Sequence, residues 1–127
     1  MKTLTLSLKK QWFELIKAGV KKEEYREIKD FYRARFFDGW DAVQAGGIYW
    51  YNQQFEKYPQ YQYFDRLVFT LGYPKADDTE RRLTFKNPRI RIGTGRPEWG
   101  AEAGKKYFVI TWEEALVTEE QNIEARR

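Results

Sequence analysis

The chain has 127 residues, a formal net charge of +4, and neither cysteine nor histidine. Those absences exclude disulfides, Cys/His zinc sites, iron–sulfur clusters and any Ser-His-Asp or Cys-His nucleophile. A general base must then be Lys, Asp, Glu or Tyr. Composition leaves a carboxylate-bound Mg²⁺ open, but no Asp/Glu cluster has obvious ligand spacing, and no cofactor is expected. Hydrophobic residues make up 42% and aromatic residues 18% of the chain, enough for a core. The length suits a single domain over residues 1–127, with a flexible charged tail from about residue 118. The basic excess is mild and compatible with a nucleic-acid partner. No apolar run reaches transmembrane length and no signal-peptide core follows the N-terminus. The expectation is a cytoplasmic protein with no membrane partner.

Thr3 to Leu8 alternates with period two and predicts a half-buried strand. Ser7 then suits a helix N-cap. Leu8, Trp12, Leu15 and Ile16 fall on one helical face, predicting a helix over about Lys9 to Ala18. Gly19 is placed to stop it in a left-handed turn. Lys22 to Ile28 predicts a second strand, and Lys29 to Phe37 a short helix carrying Phe31, Tyr32 and Phe36. Gly39 to Gly47 has no decided form, and Ile48 to Tyr51 predicts a short strand or turn.

Tyr49 to Phe64 is dense in aromatic residues. It reads either as a surface on which bases stack or as a loop packing its rings onto the core. Phe64 to Tyr73 predicts a strong strand, with Leu67, Phe69 and Leu71 on one face. Pro74 to Glu80 is a polar turn. Arg82 to Ile92 predicts one long strand bent at Pro88, with Arg89 and Arg91 on one face. Gly93 to Gly100 is a glycine-rich loop that lacks a P-loop or dinucleotide pattern. Lys106 to Trp112 is the last clear strand. Several strands without regular helical crossovers argue against a parallel α/β sheet. A small mixed or antiparallel barrel capped by helices fits instead.

Gly19-Val20-Lys21-Lys22-Glu23-Glu24-Tyr25-Arg26 reads G-x-K-x-x-E-x-R. Four fixed positions match by chance in roughly one chain of this length per thousand. Lys21 sits in the connection, where its ammonium can reach outward. On an extended strand Glu24 and Arg26 point to the same face. There they can pair bidentately or hold the polar edge of a planar ligand such as a nucleobase. The plainer reading is a solvated strand face with a surface ion pair, worth about 0–1 kcal/mol.

In this setting the segment resembles the signature of the ASCH (ASC-1 homology) domains, relatives of the PUA-like RNA-binding barrels. The likeness is strongest over Leu6 to Phe31 and is to the compact, stand-alone bacterial and phage members. It implies an α+β fold: a small mixed β-barrel, one amphipathic helix after the first strand, and short capping helices. It implies a cleft at the barrel mouth lined by Lys21, Glu24 and Arg26, with Gly19 making the turn. Trp12 and Tyr25 are further candidates, each with core packing as the alternative. Arg89, Arg91, Arg96, Lys105 and Lys106 are candidates for a basic rim.

The resemblance implies single-stranded RNA or a nucleotide as partner. Some members are enzymes. Those that hydrolyse acetylated cytidine use a lysine at the position of Lys21, but a threonine nucleophile where this chain has Glu24. A ribonuclease-like branch would have Lys21 and Glu24 as an acid/base pair on a ribose 2′-hydroxyl. A third alternative is a protein-interaction domain using the aromatic Tyr49–Phe64 face.

Overall fold

The computed structural model describes Met1–Trp40 and Gln60–Glu113. Most of the aromatic Tyr49–Phe64 stretch, the Ile48–Tyr51 strand or turn and the charged tail lie outside the described residues. The fold is small α+β, with six strands in two sheets and two α-helices among the described residues. In chain order these are β1 (Thr3–Leu8), α1 (Lys10–Lys17), β2 (Glu24–Arg26), α2 (Asp30–Phe36), β3 (Arg66–Leu71), β4 (Arg82–Lys86), β5 (Arg89–Thr94) and β6 (Lys106–Thr111). A 3₁₀ turn, Pro97–Trp99, precedes β6.

The described residues divide into two compact units. The first draws on Met1–Glu24, Phe64–Arg89 and Ile110–Arg127, the second on Tyr25–Tyr63 and Ile90–Val109.

In the first unit β3 is the middle of a sheet ordered β1-β3-β4. It runs parallel to β1 and antiparallel to β4. The register sets Leu4 beside Leu67, Leu6 beside Phe69, and Phe69 beside Leu83. These are the buried positions of their strands. A slip of one residue would turn them to the opposite face, so burial and register enforce each other. Helix α1 lies against β3 and buries Phe13 and Ile16. Trp112 closes this core, edge-on to Phe69 at 5.1 Å and tilted against Phe85 at 5.3 Å.

Two sequence expectations change here. Ser7 does not cap α1. It belongs to β1, in register with Thr70, so its backbone is committed to a strand. Lys9 takes the N-cap position without a side-chain cap. The predicted long strand Arg82–Ile92 is two strands in different sheets. Asn87 adopts φ +52°, a left-handed conformation that Asn tolerates better than most residues. Its amide donates to Glu113 at 2.6 Å and its N–H to the Asp65 carbonyl at 3.0 Å. With Pro88 next, the ladder cannot continue.

The second sheet is ordered β2-β6-β5. Its middle strand buries four successive residues, Tyr107 to Ile110, the pattern of a strand covered on both faces. Around it the second unit builds an aromatic core. Phe108 meets Phe36 at 5.2 Å and Phe37 at 5.3 Å, both edge-on. Phe37 also packs on Tyr61 at 5.6 Å. Rings in such tilted contacts add about 0.5–1.5 kcal/mol each beyond their buried area.

Candidate functional site

The site begins at the end of α1. Gly19 has φ +76°, which only glycine adopts without strain. Its N–H donates to the Ile16 carbonyl at 3.0 Å, and the Val20 N–H to Leu15 at 2.9 Å. These two bonds form a Schellman motif. The Lys21 N–H then donates to the same Leu15 carbonyl at 3.1 Å. The helix end therefore fixes the backbone from which the Lys21 side chain departs.

That side chain does not reach outward. Lys21 is only 2% exposed and Glu24 6%. The Lys21 ammonium lies 3.1 Å from Glu24 Oε1. It also sits 4.7 Å from the centre of the Trp12 ring. The solvated-face reading of this segment therefore fails at both residues. The reason is the turn: the Schellman geometry folds Lys21 back toward α1, where Trp12 offers a ring face. Trp is the strongest aromatic partner for a cation, worth about 2 kcal/mol or more once desolvated. Trp12, Lys21 and Glu24 are thus one contact group.

The other motif residues belong to the second unit. The Tyr25 hydroxyl accepts a hydrogen bond from the Arg96 N–H at 2.9 Å. The Tyr25 ring packs on Tyr107 at 5.7 Å. It also fills the space beside Gly95, where a Cβ would come within 2.5 Å of it. Tyr25 therefore anchors the glycine-rich loop, a role that a hydroxyl on a large ring performs well. Arg96 is exposed, and its guanidinium lies 4.9 Å from the centre of the Trp99 ring. Arg26 is half-buried and donates to the Tyr32 hydroxyl at 3.0 Å.

The geometry adds residues that the motif did not name. Tyr32 is the partner of Arg26, and Trp99 the partner of Arg96. Five residues separate Tyr32 from β2, so strand periodicity does not reach it. Trp99 follows Arg96 at helical spacing within the 3₁₀ turn, a signal legible only once that turn is known.

The chemistry available is limited and specific. A lysine and a carboxylate in contact can hold opposite charge or exchange a proton. Among the described residues no group of three or more Asp or Glu side chains gathers to hold a metal ion. No helix among them is long and apolar enough to cross a membrane. Comparison of the chain with protein-family models, curated proteins and solved structures finds no match.

Proposed function

We propose that this chain is an ASCH-type domain with a PUA-like barrel, acting in the cytoplasm. It binds a nucleotide unit, within single-stranded RNA or free, through its G-x-K-x-x-E-x-R segment. The observation that carries this reading is the buried Lys21–Glu24 pair against Trp12. Desolvating two charges costs several kcal/mol each, and an apolar pair would be no less stable. A nucleotide supplies a reason for the pair to persist. Its base offers donors and acceptors for a fixed carboxylate and ammonium, and its phosphate suits an Arg side chain such as that of Arg26 in the same segment. The strand–helix–strand order at the start of the chain and the short helix α2 that follows are consistent with that resemblance.

The test is tryptophan fluorescence during titration with short single-stranded RNA, matched DNA and free nucleotides, at low and moderate salt. Saturable quenching that weakens with salt, and that Lys21→Met or Arg26→Ala reduces in a folded protein, is the expected result. RNA without mononucleotide binding identifies the strand as ligand, and the converse identifies the free nucleotide. Absence of binding to all of them overturns the proposal.

The 3.1 Å contact also favours a second reading, an enzyme on a modified nucleoside or on RNA. Lys21 and Glu24 would then be the catalytic acid and base, in an amidohydrolase or a ribonuclease. By the resemblance, Glu24 stands where the acetylcytidine-hydrolysing members carry threonine, so an acyl-threonine route has no nucleophile at that position. The reading requires turnover that Glu24→Gln abolishes while circular dichroism stays unchanged. Turnover that survives the substitution removes it.

A further inference from the structure

Exposed rings are ordinary on protein surfaces, and Tyr73, at 94% exposure, is one of them. Phe31 on α2 is 60% exposed, but its surroundings differ. It meets Tyr32 edge-on at 5.0 Å. Tyr32 stacks on Phe36 at 5.5 Å, and buried Phe36 meets Phe108 at 5.2 Å. A run of rings therefore leads from the core to the surface and holds Tyr32 in place. The Arg26 bond to the Tyr32 hydroxyl holds it from the other side.

Cations frame these two rings. The Arg35 guanidinium lies 5.9 Å from the Phe31 ring centre, as its i,i+4 spacing on a helix allows. Lys29 and Arg26 lie 5.6 Å and 5.7 Å from the Tyr32 centre. Two ion pairs flank them: Asp30 meets Arg33 at 2.9 Å, and Glu27 meets Lys105 at 3.7 Å. The face is thus an exposed ring on a supported second ring, rimmed by three cationic side chains.

Flat π-surfaces and positive charge together match a single nucleic-acid strand. Its bases are free to stack on Phe31 or on the Arg35 guanidinium plane, and its phosphates meet Lys29 and Arg26. A duplex hides its base faces, and an acidic peptide matches the charge alone. We propose that this face of α2 is a stacking platform for single-stranded RNA. It rests on the nucleotide-binding reading above and extends it from one nucleotide unit to a strand.

The experiment compares a short oligoadenosine RNA with adenosine monophosphate on the whole chain. The proteins are wild type, Lys21→Met, Phe31→Ala, Lys29→Ala and Arg35→Ala, each checked by circular dichroism. Phe31→Ala is expected to weaken oligoadenosine binding by about 5- to 150-fold, the range for one stacked base. It leaves monophosphate binding and the salt slope unchanged. Lys29→Ala flattens the slope of log affinity against log salt by about 0.7, as loss of one phosphate contact does, and Arg35→Ala weakens oligoadenosine binding as loss of a stacking surface does. Oligoadenosine affinity that ignores all three substitutions, while Lys21→Met still lowers it, overturns the platform and leaves the motif reading standing. Wild-type protein that binds neither probe overturns both, and points this face toward a protein partner.

Discussion

Replacing Lys21 by Met tests whether the motif lysine is a buried, paired charge. At 3.1 Å and an effective dielectric near 20, the attraction to Glu24 is about 5 kcal/mol. Removing the ammonium leaves a carboxylate that is 6% exposed without that attraction. Breaking a buried pair in this way costs about 3–5 kcal/mol, a large part of the roughly 5–15 kcal/mol that holds a domain together. In urea, with a slope near 1.5 kcal/mol/M, the midpoint should fall by about 2–3 M. The double variant Lys21→Met/Glu24→Leu removes both charges and keeps the volume. It should recover most of the loss, because an apolar pair avoids desolvation altogether. Far-UV circular dichroism along a urea titration measures all four proteins of the cycle. A single-variant loss below about 1 kcal/mol, the worth of an exposed pair, would refute the burial argument. So would a double variant whose loss equals the sum of the singles, since the two groups would then be uncoupled.

Gly19→Ala should cost about 1–2 kcal/mol, because φ is +76° and the space around the position is open, so only the backbone resists. An unchanged melting temperature would contradict the turn geometry. Gly95→Ala should cost about 1–3 kcal/mol by overpacking, since the new Cβ would lie 2.5 Å from the Tyr25 ring and 2.8 Å from Ala101. Gly95→Ala in a Tyr25→Leu background should cost less, and equal losses in both backgrounds would show that the ring is not the obstacle. Burial raises the Tyr61 hydroxyl above its ordinary 10.0, opposed in part by the Ile92 backbone. The unfolded chain then ionises first, so this contribution is complete below about pH 10 and is lost as pH rises through the folded value. Tyr61→Phe should therefore lose stability less steeply above about pH 10, and parallel alkaline curves for the two proteins would remove the effect.

The elements that the sequence made legible are those where one periodic signal decides. Strand β1 alternates because one face is buried, and its bounds Thr3–Leu8 agree with expectation. The end of α1 was readable because Gly19 alone supplies the left-handed turn. What stayed hidden depends on where the chain returns in space. Lys21 reads as a surface residue until the Schellman turn brings it back to Trp12. Ser7 reads as a cap until pairing with β3 commits its backbone to a strand. Asn87-Pro88 carried a turn signal, but the hydrophobic alternation on either side concealed it. Tyr32 and Arg26 meet across a short connection, so neither strand nor helix periodicity joins them.

The most direct test of the nucleotide-binding account is amide chemical-shift mapping of the intact chain during titration with short single-stranded RNA. The account predicts saturable shifts that include Gly19 through Arg26 and that diminish as salt is raised. A spectrum that does not change, or saturable shifts that leave Gly19 through Arg26 untouched, would contradict it.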